Sequence, residues 1–445
     1  MSRPFARTLA IGALLAAAAI SAPAAAAPNT APPDDIGGER RPASPPGEYW
    51  RRFLDALLFV PRTLVQVAVI ASTTTVSFFE DQQVVPRARA LLGTEDGKVR
   101  VAPTISLASG FKPDVGARLT IQQGRFASMV RGSIVSRDSY VTETRLLYSL
   151  GATGRTQLIL EGLHQRATDI GYVGVGPDPT RDTRNAFQPG KEGSGAVFLE
   201  VRERVIAGLA TRTGDDVELL FSSSFQRRTI DDVRDPGVDT FALTFVPGSV
   251  PGAYARSDRF YTEAAVRRDT RAVRGPPAAG LLVEAYAGTS EDAHDTFANA
   301  FHGGARASAF IPVVRKTSIL NPRLTLDAIA PVGEHPLPFR EYSYAAGYRG
   351  VDPRVDLVAA LASIDYRWQL ISYVAARLFV DVTTVAPKVP ALRPDHLAWA
   401  VGGGIDLHSS TTELGRLGIS YSSGGVQLIL VYGLAGPGFG DRQHR

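Results

Sequence analysis

The feature that most constrains the fold of this sequence is an alternation of polar and apolar residues with a period of two, which recurs in many short runs beyond Gly97. Near the end of the chain, for example, Leu417, Ile419 and Tyr421 alternate with polar residues and glycine. Successive side chains of a strand point to opposite faces of a sheet, so such runs predict strands with one apolar and one polar face. This part of the chain is therefore expected to be all-β.

Turn-like clusters of Gly, Pro and Asp separate sixteen candidate strands. They span 98–108, 114–122, 125–136, 140–150, 155–165, 195–206, 216–227, 257–269, 279–288, 297–310, 316–330, 357–369, 373–385, 396–408, 415–423 and 425–434. Alternation alone also fits a soluble sandwich, but this stretch exceeds what one sandwich normally holds. At about 10 residues per spanning strand plus a connection, it divides into about 16 strands, and an even number closes an antiparallel barrel without edges. The sequence predicts a transmembrane antiparallel β-barrel of about 16 strands over 98–445.

The first segment, residues 1–27, has the three-part pattern of a secretory signal peptide. Arg3 and Arg7 precede an apolar run from Leu9 to Ile20, and small residues follow before Pro28. The apolar run is too short to span a bilayer. We therefore expect an exported protein, and the barrel prediction places it in the outer membrane of a Gram-negative bacterium.

Two further segments precede the predicted barrel. Residues 28–48 are rich in Pro, Gly and charge and are expected to form a flexible leader. Residues 49–97 carry apolar residues at helical spacing, interrupted at Pro61, and predict a short periplasmic amphipathic helical segment, packed on a larger body or lying at a membrane surface. A transmembrane helix here would bury Asp55 and Arg62 in lipid at a cost of several kcal/mol.

The composition excludes several kinds of chemistry. The chain of 445 residues has no Cys, so it has no disulfide framework, no thiolate nucleophile and no Cys-ligated metal. A net charge of +4 gives no reason to expect a nucleic-acid partner. The sequence also has no His-Glu-x-x-His zinc motif, no Gly-x-Ser-x-Gly elbow and no phosphate-binding loop. We expect neither catalytic residues nor a metal or cofactor.

The longest interruption before the last strands is residues 331–356, and loops of this length within a compact fold are usually functional. The motifs in and after it are Leu337-Pro338-Phe339, Gly347-Tyr348-Arg349-Gly350, the run Ala362–Trp368 and the run Leu378–Asp381. Together they resemble the last third of the BamA/TamA barrel superfamily, the bacterial surface antigen family. The segment 171–178 also resembles a Tyr-Gly-x-Gly-Asn segment in the middle of these barrels.

The resemblance implies a site inside the barrel. In that family the sixth extracellular loop carries a Val-Arg-Gly motif that folds back into the lumen, where its Arg meets acidic residues on the two following strands. Carried over to this sequence, Arg349, between Tyr348 and Gly350, would meet Asp365 and Asp381. We name this predicted set of five residues the loop lock.

The strand pattern is consistent with the loop lock. Counting by twos places Ser363, Asp365 and Arg367 on one face of a strand, and this face must be luminal because charges are costly in lipid. Asp381 can point inward by the same count, since it shares a face with Arg377. The alternative is that Arg349 is an ordinary exposed arginine and that both aspartates merely solvate the lumen.

The resemblance implies a role in outer-membrane biogenesis, by insertion or translocation of proteins at a weak seam between the first and last strands. The expected partners are outer-membrane lipid and lipopolysaccharide, and other envelope proteins or barrel substrates, with the barrel itself a monomer. No periplasmic POTRA repeat is expected between the signal peptide and the first strand. Two other functions fit the same barrel: a passive anion-preferring channel lined by Arg, and a structural surface antigen without a transport role.

Overall fold

Sixteen strands form one closed antiparallel barrel in which each strand pairs with its neighbours in sequence and β1 pairs with β16. The computed structural model describes residues 98–107, 113–151, 154–235, 237–271, 279–313, 318–371, 374–408, 413–432 and 444. The predicted all-β barrel of about 16 strands is thus confirmed. The predicted signal peptide, leader and helical segment, residues 1–97, lie outside the described residues.

The strands are β1 Val99–Leu107, β2 Pro113–Gln123, β3 Phe126–Ser136, β4 Ser139–Leu150, β5 Thr156–Tyr172, β6 Ala196–Thr213, β7 Val217–Asp232, β8 Arg256–Asp269, β9 Gly280–Asp292, β10 Asn299–Pro312, β11 Ser318–Val332, β12 Val358–Ile371, β13 Val374–Ala386, β14 Ala398–His408, β15 Glu413–Ser422 and β16 Gly425–Tyr432. One short helix, α1, covers Phe241–Thr244, and single 3₁₀ turns cover Phe339–Glu341, Val389–Ala391 and Pro394–His396. No helix in the described part of the chain is long and apolar enough to cross a bilayer.

The two faces of the barrel wall differ in polarity as the alternation predicts. On β15, Ile419 and Tyr421 point outward and are more than half exposed, whereas Ser420 and Ser422 point inward and are buried. Many other strands carry exposed Val, Leu, Ile or Phe on the same outer surface. An apolar outer surface around a polar lumen is the arrangement that lets a closed barrel lie in lipid.

Three long connections lie at one end of the barrel: 173–195 after β5, 233–255 after β7 and 333–357 after β11. An aromatic cluster holds them together, with Phe339 of the third connection packed on Tyr172, Phe198 and Phe241 at ring distances of 4.5–5.4 Å. Phe339 is only 2% exposed. The long connections therefore form a packed cap over this end of the lumen.

Three strands are longer than the predicted boundaries 155–165, 195–206 and 216–227. β5 and β7 extend at the cap end, and β6 extends at the opposite end of the barrel. The three strands continue to Tyr172, Thr213 and Asp232. A register shift between Ala167 and Ile170 interrupts the pairing of β5 with β6. Toward the cap, inward positions such as Tyr172, Phe198 and Ile230 are apolar because they pack in the aromatic cluster, which weakens the alternation that marks the lower strands.

Candidate functional site

The connection 333–357 folds into the lumen and brings Arg349 against the inner wall of β12 and β13. The Arg349 side chain donates to Asp365 of β12 through Nη1, to Asp381 Oδ2 of β13 through Nε at 2.8 Å, and to Asp381 Oδ1 through Nη2 at 2.5 Å. Its backbone N–H also donates to Asp381 Oδ2 at 3.0 Å. The structure thus places three of the five loop-lock residues in direct contact.

The environment of Arg349 strengthens these bonds. Asp381 is fully buried, and the guanidinium lies over the ring of Phe379 at 3.8 Å from its centroid. Burial lowers the pKa of Arg349, but the bonds to Asp381 and Asp365 outweigh this effect and raise the pKa. Charge-assisted bonds of a guanidinium fork to carboxylates are about twice as strong as neutral hydrogen bonds, so this contact fixes both position and orientation of the loop.

The sequence analysis did not predict three further contacts of Arg349. Ser363 Oγ accepts from Arg349 Nη2 at 2.7 Å and donates to Asp381 Oδ1 at 2.6 Å. Ser420 of β15 donates to the Arg349 carbonyl at 2.5 Å, and the ring of Phe379 lies under the guanidinium. Ser363 and Phe379 share faces with Asp365 and Asp381, so counting by twos could have found them. Nothing in the sequence singles out Ser420.

Gly350 and Tyr348 shape the backbone around Arg349. A Cβ on Gly350 would lie 2.7 Å from the Cβ of Ser422 and 2.5 Å from the hydroxyl of Tyr348. Glycine is therefore needed at position 350 because a larger residue would clash with these atoms. The left-handed backbone of this turn belongs instead to Gly347, with φ of 87°. Burial raises the pKa of Tyr348 to about 12, so its phenol stays neutral beside Asp352 and Asp381.

Substitution Gly350→Ala is expected to weaken loop docking, because the added methyl must displace the wall at Ser422. Overpacking of this kind costs about 1–3 kcal/mol. The measurement is the thermal stability of the folded barrel, read from its migration on electrophoresis after stepwise heating. Gly171→Ala is the matched control, since a Cβ there meets no atom within 4 Å. Equal shifts for the two variants would show that the space at Gly350 is unimportant.

A second anchor ties the connection 333–357 to the connection 173–195. Arg184 donates to both oxygens of the fully buried Asp356 at 2.8 Å each. Gly176 N donates to Val355 O at 3.0 Å, and Arg354 Nη1 donates to Pro177 O at 2.9 Å. The segment 171–178, which resembles a mid-barrel motif, therefore serves as a platform for the loop.

A third anchor is an ion network beside the aromatic cluster. Glu200 of β6 accepts from Arg340 Nε at 3.1 Å and forms an ion pair with Arg228, whose Nε lies 2.8 Å away. Arg228 Nη1 also donates to Glu341 at 2.9 Å. Glu200, Arg228 and Glu341 are all less than 9% exposed. With the loop lock and the Asp356 anchor, this network holds the connection at three points along its length.

The loop lock lies close to the place where the barrel closes. Val351 N donates to Ser422 Oγ of β15 at 3.1 Å, and β15 pairs directly with β16. β16 pairs with β1, with Ile105 opposite Tyr432, Ser106 opposite Val431 and Leu107 opposite Leu430. On its other side, β1 pairs with β2 from Val99 to Leu107.

Solved structures with the same architecture decide the fold. The chain is similar to BamA from Haemophilus ducreyi lacking POTRA domains 1–3, with a TM-score of 0.52, 14% identity, and coverage of 75% of this chain and 69% of that chain. The barrel has the BamA fold. The expected likeness to BamA-type barrels is therefore confirmed for the fold.

Other comparisons are weaker. CdiB from Escherichia coli has a TM-score of 0.48 and 9% identity, and the similarity covers 75% of this chain and 62% of that chain. CdiB from Acinetobacter baumannii has a TM-score of 0.44 and 10% identity, with coverage of 75% of this chain and 59% of that chain. No protein-family model matches the sequence, and no curated protein matches it.

Proposed function

We propose that this chain is an outer-membrane barrel that assists the insertion or translocation of other polypeptides at the seam between β1 and β16. The observation that carries the proposal is the loop lock beside that seam, in a barrel with the BamA fold. The apolar outer face supports a place in lipid. The partners would be outer-membrane lipid and lipopolysaccharide on the outside of the wall, and unfolded barrel or envelope proteins at the seam. The barrel itself would act as a monomer and not as an enzyme.

The contacts suggest how such a seam would work. The loop lock holds β12, β13 and β15 as one rigid wall, because Arg349 and Val351 bond to all three strands. A rigid wall on one side of β16 would direct any opening to the pairing of β16 with β1. An incoming strand could then pair with the exposed edge of β1 or β16, since strand edges are templates for strand addition.

The alternative of an anion-preferring channel is less well supported. Its attraction for anions would come from luminal Arg, but several of these are paired with carboxylates. Asp406 alone lies within 2.5–3.5 Å of Arg377, Arg416 and Arg367. Paired charges leave little net positive field in the lumen.

Reconstitution into liposomes separates the three functions. We expect liposomes that contain this protein to fold a urea-denatured outer-membrane barrel faster than empty liposomes do, because the seam lowers the barrier to strand entry. Liposomes that carry a closed porin of similar size control for bilayer defects. A steady anion-selective conductance without faster folding would instead identify a channel. Absence of both activities would contradict insertion and leave the surface-antigen role.

A further inference from the structure

On the outer face of the barrel, the wall of β7 and β8 changes from apolar to charged close to the cap. Below the change, Phe221 and Phe260 are 57% and 51% exposed, and Phe260 packs on Phe225 with ring centroids 5.1 Å apart. One step closer to the cap, Arg227 of β7 lies opposite Asp258 of β8, and both point outward because residues two apart on a strand share a face. Membrane barrels have their long connections on the extracellular side, so the change lies at the level of the outer-leaflet headgroups.

Three basic side chains surround the carboxylate of Asp258. Arg227 Nε donates to Asp258 Oδ1 at 3.1 Å, and Arg256 Nε donates to the same oxygen at 3.0 Å. Arg256 Nη2 donates to Oδ2 at 2.5 Å, and His294 Nε2 lies 3.1 Å from Oδ2. Asp258 thus fixes the orientation of basic groups from two strands and from the connection between β9 and β10.

The carboxylate lies buried beneath its basic partners. The side chain of Asp258 is 3% exposed, whereas those of Arg227, Arg256 and His294 are 40%, 51% and 57% exposed. Within the described residues, Nη1 of Arg227 and Nη1 of Arg256 donate no hydrogen bond, so both nitrogens can donate to a ligand. The cluster therefore presents a basic surface with free donors at the membrane boundary.

Two other acidic side chains on the outer face lie on the neighbouring strands. Glu203 of β6 lies 3.8 Å from Arg227 Nη1 and 3.5 Å from His164 Nδ1 of β5. Glu291 of β9 is exposed and lies opposite Phe260, below the cluster. Neither carboxylate lies on the cap side, where Arg256 ends the outward row of β8. An anion can therefore approach the cluster from the cap side, which is the side of the lipid headgroups.

We propose that Arg227, Arg256 and His294 form a binding site for the phosphate group of an outer-leaflet glycolipid, with Asp258 as the residue that positions them. A phosphate monoester carries a charge of about −1.5 to −2 at pH 7 and offers three acceptor oxygens. Guanidinium groups match the geometry of phosphate, and basic sites on membrane proteins bind lipid headgroups. The acyl chains of the same lipid lie along the apolar wall below, at Phe260. The proposal rests on the outer-membrane location in the proposed function, but not on insertion.

The site is tested by native mass spectrometry of the full-length protein, released from detergent micelles that contain diphosphorylated lipid A. We expect the unaltered protein to retain the lipid, and Arg227→Gln/Arg256→Gln to retain roughly tenfold less, which corresponds to about 1.4 kcal/mol. The matched control is Arg155→Gln/Arg212→Gln, which removes two exposed arginines at the opposite end of the barrel and should retain as much lipid as the unaltered protein. Equal retention by the unaltered protein and Arg227→Gln/Arg256→Gln would overturn the site.

A second comparison uses the unaltered protein alone, so it does not depend on the folding of a variant. Dephosphorylated lipid A has the same acyl chains, and we expect its retention to be roughly tenfold lower, again about 1.4 kcal/mol. Equal retention of the two lipids would overturn recognition of the phosphate. Inorganic phosphate without lipid should leave no bound anion, because it makes no contact with the apolar wall, and its retention in place of the lipid would overturn the glycolipid as ligand. Neither comparison uses a client polypeptide, so failure here is distinct from failure of the insertion role.

Discussion

Arg349→Ala is expected to release the connection 333–357 from the wall of the barrel at the loop lock while the sixteen strands stay folded. The substitution removes every side-chain bond to Asp381 and Asp365 and leaves Asp381, which is fully buried, without its cation. Removal of one partner from a buried ion pair typically costs about 3–5 kcal/mol. The cost falls on docking of the loop, because strand pairing does not depend on Arg349.

The measurement is limited proteolysis of the reconstituted barrel with thermolysin. When docking is fast, the rate of cleavage within 333–357 is proportional to the population of the undocked loop. A loss of about 3–5 kcal/mol in the free energy of docking should therefore raise the cleavage rate roughly 100-fold or more. The matched control is Arg393→Ala, an exposed arginine in the connection between β13 and β14. A cleavage rate for Arg349→Ala no higher than that of the control would show that the loop is held without the lock.

Two further variants identify the source of the effect. Arg349→Lys keeps the charge but loses the planar fork that reaches Ser363, Asp365 and Asp381 at once, so it should recover only part of the protection. Arg349→Ala/Asp381→Asn removes the orphaned charge, so it should recover thermal stability without restoring loop protection. Recovery of both properties in the double variant would mean that repulsion and desolvation at Asp381, and not docking, caused the loss.

The loop lock was predicted from the resemblance of residues 337–381 to BamA/TamA barrels, and the strand period is consistent with it. The strand period fixes which way Asp365 and Asp381 point, and the Arg349 motif precedes both strands in the expected order. The outer face was predictable for the same reason, since lipid demands one apolar face on every spanning strand. Where one physical rule acts along the whole chain, the sequence reveals the structure well.

The other contacts of the loop could not be predicted because they join distant segments without a repeating rule. Arg184 and Asp356 are 172 residues apart, and neither differs in its local sequence from other charged loop residues. The cap ends of β5 and β7 also differ from the prediction, because apolar residues such as Tyr172 and Ile230 occupy inward positions there and pack in the aromatic cluster.

A crosslink between β1 and β16 is expected to abolish insertion activity without unfolding the barrel. Cysteines at positions 106 and 431 lie opposite each other in the register of the seam, and the sequence has no other cysteine to compete. Opposite residues of antiparallel strands have Cβ atoms about 4.5–5.5 Å apart, so a disulfide or a short maleimide linker can join them. A covalent bond between β1 and β16 prevents the two strands from separating, so a strand of an incoming protein cannot pair with either edge.

The control places a pair of cysteines at Ile419 and Leu428, which lie opposite each other on β15 and β16 and do not cross the seam. In the liposome assay, the oxidised Ser106→Cys/Val431→Cys protein should fold client barrels no faster than empty liposomes, and reduction of a disulfide should restore the rate. The control should keep its activity in both states. The comparison distinguishes insertion at the seam from insertion at another place. Activity that survives in the oxidised seam variant would mean that this chain inserts proteins elsewhere on its surface. Equal loss in both variants would point instead to a general need for flexibility in β16, which pairs with β1 and β15 alike.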